Sequence, residues 1–315
     1  MDHIPELKDI QKAYEEISSI AHRTPILINQ TINKLCGCEV IFKCENFQKS
    51  GAFKFRGATN AVFSLSQEEL DKGVATHSSG NHAGALALAA SLRGVKATII
   101  MPRTAKEIKK KAVQEYGADI IFCEPTLKSR EETLDKFIEE SGAHFVHPYN
   151  DYRIIAGQAT AAMELIEDFG KINYIITPVG GGGLLSGSSL SAHYLSETTK
   201  VIGAEPSGAD DAFRSMRDGK IYPSENPDTI CDGLLTSLGK KTFGIISKNV
   251  SEIITANDEK IIEAMKLIWE RMKIIVEPSS AVPLAVVLKN KKKFEGKQVG
   301  IILSGGNVDL NNLPF

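Results

Sequence analysis

The chain has 315 residues, 42% of them hydrophobic and 24% charged, which suits a soluble globular protein of one large domain or two modest ones. A formal charge of −2 leaves no electrostatic footprint for nucleic acid or an anionic membrane, and no apolar run is long enough to span a bilayer. The five cysteines are odd in number and lack zinc-ribbon spacing, so Cys36 and Cys38 read as buried thiols and the expected compartment is the cytoplasm.

Met1–Leu7 lacks the basic and apolar blocks of a signal peptide. Ile10, Ala13, Tyr14, Ile17 and Ile20 recur at helical spacing, so the chain opens with an amphipathic helix. Val40–Cys44 reads as a strand, and Ala58, Ala61, Val62 and Leu65 as a helix after Lys54. A strict alternation follows: strand 74–76, helix 83–92 ending at Gly94, strand 97–101, helix 106–116, strand 119–122, helix 129–141 and a short strand at 144–146. A second series runs through helix 157–169, strand 174–179, helix 184–195, strand 200–204, helices 258–272 and 280–288, and strand 299–303. Such alternation predicts α/β architecture with two parallel sheets and a cleft between them.

Lys54 stands between Phe53 and Phe55, after Gly51-Ala52 and before Arg56-Gly57. Two aromatic neighbours desolvate an amine and lower its pKa, and a neutral amine is what a Schiff base to a carbonyl cofactor requires. The bland alternative is a lysine snorkelling from a helix start. Strand 174–179 leads into Gly180-Gly181-Gly182-Gly183, which opens a helix through Leu184 and offers backbone N–H groups as an anion cradle. No lysine follows the glycines as a P-loop demands. A dinucleotide site would use Gly180 and Gly182 with Glu205 on the ribose, but Leu185 stands where the third glycine belongs. His77–His82, His147–Asn150 and Ser304–Asn307 also follow strands, and ligands collect at the carboxyl ends of strands in open α/β sheets.

Together these segments resemble the fold-type-II pyridoxal-phosphate (PLP) enzymes, in the serine racemase and serine/threonine dehydratase group. The likeness runs from Thr24-Pro25 through the lysine segment, Ser78–His82, Gly180–Gly183, Glu205–Asp211 and Trp269–Pro278 to Ser304–Asn307. It implies a tryptophan synthase β-like fold, with 1–64 and 151–315 as a large PLP-binding domain and 65–150 as a small one. It implies that Lys54 holds PLP covalently and that Gly180, Gly181, Gly182, Gly183 and the Leu184 backbone cradle its phosphate. Asn81 then meets the ring hydroxyl, Phe53 lies against the ring, Ser304 meets the pyridine nitrogen, and Asn150 and Glu277 line the pocket. Ser78, Ser79, Asn81 and His82 correspond to substrate-binding positions.

Threonine dehydratases of this fold usually carry alanine at position 79, and serine racemases carry serine. Racemisation needs a group on each face of Cα, so Lys54 and Ser79 become the expected pair. Glu205, the Ala209 carbonyl and Asp211 correspond to the racemases' divalent-metal site and are hard oxygen donors for Mg²⁺, Ca²⁺ or Mn²⁺. The resemblance also implies a homodimer. Gly84 stands where ATP-binding members have glutamine, which argues against ATP as an effector. The chain ends soon after Asn307, so no C-terminal regulatory domain is expected. The expected activity is interconversion of L- and D-serine with accompanying dehydration to pyruvate and ammonia. The alternatives are an L-threonine/L-serine dehydratase or 3-hydroxyaspartate ammonia-lyase and, from another class, a dinucleotide-binding oxidoreductase.

Overall fold

Ten strands sort into two sheets in a computed structural model that describes residues 1–315, apart from the side chain of Ile108. They are β1 (Ile26–Ile28), β2 (Glu39–Cys44), β3 (Val74–His77), β4 (Ala97–Pro102), β5 (Asp119–Cys123), β6 (His144–Phe145), β7 (Tyr174–Pro178), β8 (Lys200–Pro206), β9 (Glu252–Ala256) and β10 (Gln298–Leu303). The larger sheet runs β1-β2-β10-β7-β8-β9 and the smaller β5-β4-β3-β6. Every pairing is parallel except β1 with β2, where Ile26 faces Lys43 in antiparallel register. The expected all-parallel sheet therefore carries one antiparallel edge. β4 and β7 read as continuous apolar runs because helices cover both faces of a parallel sheet.

The helix Tyr152–Phe169 lies at the centre, with residues 154–166 buried. It packs against the helix that starts at the lysine, Lys54–Phe63, through a glycine-on-glycine contact. A Cβ on Gly157 would come within 2.7 Å of the Gly57 Cα, so any larger residue there would push the lysine's helix off its support.

Beneath that contact sits a closed group of buried charges. Arg56 is fully buried and donates to Glu45 at 2.7 and 2.8 Å and to Glu164 at 2.7 and 2.8 Å. Lys43 Nζ donates to the same Glu164 at 2.6 Å and to the Thr24 carbonyl at 2.7 Å. Two cations meet two carboxylates, so the cluster is neutral and its members satisfy one another. Burial alone would push the Glu45 carboxyl up, but Arg56, Lys43 and the Thr24 hydroxyl together outweigh it and hold the group below the usual carboxylate range. The cluster ties β2, the lysine's helix and the central helix together two residues from Lys54. Among the described residues, no helix is long and apolar enough to cross a membrane.

Candidate active site

The loops after β3, β6, β7 and β10 converge on a cavity of about 450 Å³ between the two sheets. Lys54, Phe53, Ser304, Glu277 and Gly180–Leu184 line it from the larger sheet's side. Ser78, Ser79, Asn81 and His82 line it from the smaller sheet's side.

Backbone bonds fix the lysine relative to the end of β10. The Phe53 N–H donates to the Ser304 carbonyl and the Gly306 N–H to the Gly51 carbonyl, each at 2.9 Å. Ser50 and Gly51 turn through the left-handed region at φ 56° and 73° to bring Lys54 to the first position of its helix. Lys54 Nζ donates to the Pro148 carbonyl at 2.8 Å and lies 5.2 Å from the Phe53 ring and 6.0 Å from the Tyr149 ring. Burial pulls the amine down to about 8, against the charge of Glu277, which favours the ammonium. The second ring near the amine is Tyr149 rather than Phe55, whose side chain is fully buried in the core shared with the smaller sheet.

Gly182 caps the helix Gly183–Leu195 at φ 88°. A Cβ on Gly181 would meet the Tyr149 ring at 2.3 Å, and one on Gly182 would meet Leu238 at 2.7 Å. Side chains therefore cannot occupy this turn, and the N–H groups of the helix's first turn have no intrahelical acceptor. Such a cradle fits a phosphate.

Asn81 opens the helix Asn81–Arg93, and its amide donates to both Glu277 oxygens at 3.0 Å while its carbonyl accepts from Asn307 at 3.0 Å. Burial pushes the Glu277 carboxyl up to about 7, with the Asn81 hydrogen bond opposing it. His82 is buried, donates from Nε2 to the Val146 carbonyl at 3.1 Å, and is pulled down to about 3 by burial, so it is neutral. His147 Nδ1 accepts from the N–H groups of Tyr149 and Asn150 and thereby shapes the loop after β6.

Asn150 is the one expected cofactor contact outside the cavity wall. Its side-chain carbonyl accepts from Lys241 N–H at 2.9 Å, bracing the helix Lys240–Asn249 behind the glycine turn. Glu205, near the end of β8, and Ala209 and Asp211, just after it, lie together outside the cavity. Glu205 accepts from the N–H groups of Ala212 and Phe213 at 2.8 Å each, and Asp211 Oδ2 is buried with no partner among the described residues. Burial pushes Glu205 up to about 9 and Asp211 up to about 6. A pair of desolvated carboxylates with an idle oxygen fits a hard cation. Among the described residues, no cluster of three acidic, histidine or cysteine side chains is placed to hold a metal ion.

The cavity wall contains residues that sequence reasoning missed. Arg130, Asp232, Ser224, Thr236, Ser237 and Ser279 all face it. Arg130 sits in a segment read only as a helix over 129–141, and Ser224–Ser237 belongs to an irregular stretch whose polar residues look like ordinary loop composition. Arg130 Nε is buried with no partner among the described residues. A second cavity of about 300 Å³ borders the first, sharing Gly80, Asn81 and Asp232, and Gly84 and Tyr116 form part of its wall.

A desolvated lysine, a glycine turn shaped for phosphate and a neutral hydroxyl at the end of β10 define the site of a PLP enzyme of fold type II. Residues 17–305 match the family model described as "Pyridoxal-phosphate dependent enzyme". The chain belongs to this family, and its cofactor is PLP. It is 52% identical to the β-hydroxyaspartate dehydratase of Paracoccus denitrificans (strain Pd 1222), covering 99% of each chain. It is 50% identical to the serine racemase of Dictyostelium discoideum, covering 98% of this chain and 96% of that one. The crystal structure of serine racemase from D. discoideum superposes with a TM-score of 0.93, covering 97% of this chain and 99% of that one.

Proposed function

We propose that this protein is a serine racemase that also removes water from serine to give pyruvate and ammonia. The observation that carries the reading is that Lys54 and Ser79 reach one cavity from the two different sheets. The bound cofactor supplies an electron sink that acidifies the Cα–H of an attached amino acid. Lys54, with its amine near neutrality, takes or returns the proton on one face. The Ser79 hydroxyl serves the other face, and its placement in the loop from β3 into the helix Asn81–Arg93 holds it there. Gly180–Gly183 and Leu184 hold the phosphate, Ser304 meets the pyridine nitrogen, and Asn81, braced by Glu277, meets the ring hydroxyl. Ser304 is a neutral hydroxyl and cannot hold a pyridinium charge as a carboxylate would, which tempers the sink and leaves the outcome to proton placement.

A second reading has a specific observation in its favour. Arg130 brings a guanidinium with an idle Nε to the cavity wall, the group best suited to a second, distal carboxylate. That favours 3-hydroxyaspartate, which would lose water to give an imine whose hydrolysis releases ammonia and oxaloacetate, and the 52% identity to a β-hydroxyaspartate dehydratase supports it. L-serine and 3-hydroxyaspartate should be compared side by side, assaying D-serine, pyruvate, oxaloacetate and ammonia. Racemisation of serine supports the first reading. A kcat/KM for 3-hydroxyaspartate that dominates, and that Arg130→Gln lowers at least tenfold without touching serine, establishes the second.

We further propose Mg²⁺ or a similar divalent cation at Glu205, Ala209 and Asp211, supported by the idle Asp211 oxygen. A homodimer is inferred from the resemblance. The division into 1–64 with 151–315 and 65–150 is supported by sheet membership, since β3–β6 make up the smaller sheet. Five free, buried cysteines support a reducing compartment such as the cytoplasm. No ATP contact is assigned, because Gly84 offers no side chain to the second cavity.

A further inference from the structure

Ser224 stands in the irregular stretch that follows the helix Asp211–Asp218 and lines the active-site cavity. Hydrogen bonds clamp this stretch onto the acidic turn after β8 at two points. The Asp228 N–H donates to the Gly208 carbonyl at 2.9 Å, and a Cβ on Gly208 would come within 1.8 Å of the Asp228 carbonyl oxygen, so only glycine admits that approach. On the other side, the Tyr222 N–H donates to the Ser215 hydroxyl at 2.9 Å, and that hydroxyl donates to the Asp211 carbonyl at 2.6 Å. Ser224 is pinned as well, since its N–H donates to the Ser237 hydroxyl at 2.8 Å.

Held between these points, the Ser224 side chain faces the Asp211 carboxylate. Asp211 is 1% exposed, and its Oδ2 and the Ser224 Oγ are both buried with no hydrogen-bond partner among the described residues. Two facing oxygens left idle in this way cost free energy, and a cation that binds both recovers it. The charge balance agrees. Glu205 and Asp211 supply two negative charges, which match one divalent cation, so its other ligands should be neutral oxygens. The Ala209 carbonyl is one such oxygen, and a serine hydroxyl is another.

We propose that the Ser224 hydroxyl is a further donor to the divalent cation at Glu205, Ala209 and Asp211, in direct contact or through one water, and that cation binding thereby fixes the cavity wall from Ser224 to Ser237. The inference rests on the proposed cation and adds to it a neutral ligand and a route to the active site. That route is short. Ser224, Thr236 and Ser237 all line the cavity, and the bond from the Ser224 N–H to Ser237 joins the two ends of the stretch. A cation that holds the Ser224 side chain therefore also holds this part of the wall.

The test is calorimetric titration of Mg²⁺ and of Ca²⁺ into chelator-treated holoenzyme, for wild type, Ser224→Ala and Ser224→Thr. Melting temperature and hydrogen exchange over residues 222–237 are read with and without the ion. Ser224→Ala is expected to weaken cation binding about tenfold, to keep the wild-type melting temperature when cation-free, and to lose most of the slowing of exchange that saturating cation brings to the wild-type stretch. Ser224→Thr keeps the hydroxyl and should bind the cation as wild type does. Equal affinity in wild type and Ser224→Ala would overturn the inference and leave the cation on its other ligands. A cation-free Ser224→Ala that melts well below wild type would overturn it too, because the hydroxyl would then serve Asp211 within the protein rather than a cation. Exchange that saturating cation leaves unchanged in wild type would refute the link to the cavity wall. If wild type binds neither ion, the proposed cation falls and the inference with it.

Discussion

Replacing Glu277 with glutamine should make Lys54 titrate at a lower pH. Burial holds the Lys54 amine at about 8, and Glu277 is the charge that opposes that shift. At pH 7 an amine of pKa about 8 is roughly one-tenth neutral, whereas an ordinary lysine at about 10.4 is neutral in roughly one molecule in 2,500. The site thus raises the reactive fraction about two-hundredfold. Glutamine keeps an acceptor for the Asn81 amide but removes the negative charge, so desolvation acts on Lys54 unopposed. The assay is the rate of PLP incorporation into cofactor-stripped protein, followed by absorbance across pH. Wild type should reach half its maximal rate near pH 8, and Glu277→Gln should do so at lower pH. A wild-type midpoint above pH 10, or an upward move in the variant, would refute the reasoning. The same burial pushes Glu277 itself up from 4.5 to about 7, so the native state binds its proton more tightly than the unfolded chain does. Its contribution to stability is full below pH 4.5 and lost as pH rises through 7, a decline that Glu277→Gln should remove from the stability profile of the stripped protein.

Arg56→Ala leaves Glu45 and Glu164 buried with Lys43 as their one remaining cation, and a broken buried pair costs about 3–5 kcal/mol. Urea unfolding should show that loss, and a change below about 1 kcal/mol would mean that the cluster contributes little. Chelation should lower the melting temperature of wild type, and excess Mg²⁺ should restore it. Glu205→Gln should respond to neither, and an indifferent wild type would argue against the cation.

Much of the fold was legible because buried parallel strands and amphipathic helices leave strong periodic signals. The helix Asp258–Met272 has the bounds its apolar spacing predicts. The helix Lys240–Asn249 and the strand β9, Glu252–Ala256, were missed. β9 lies at a sheet edge and buries only Ile253 and Ala256, so its pattern is faint. The antiparallel β1 has three residues, none fully buried, and carries no readable period. Within the site, lysine and glycine are unusual where they stand, and that made Lys54 and the glycine turn visible. Arg130 is ordinary for a surface helix, and its meaning depends on the distant segments that share the cavity wall with it. The ion cluster is similar, since Lys43 and Glu164 are separated by 121 positions and no local pattern joins them.

The pairing of Lys54 with Ser79 is tested most directly by incubating L-serine in deuterium oxide with wild type and Ser79→Ala. Wild type should yield D-serine deuterated at Cα, together with pyruvate. Ser79→Ala should still form pyruvate and exchange deuterium into L-serine through Lys54, yet make no D-serine. D-serine formed by Ser79→Ala at the wild-type rate would contradict the account.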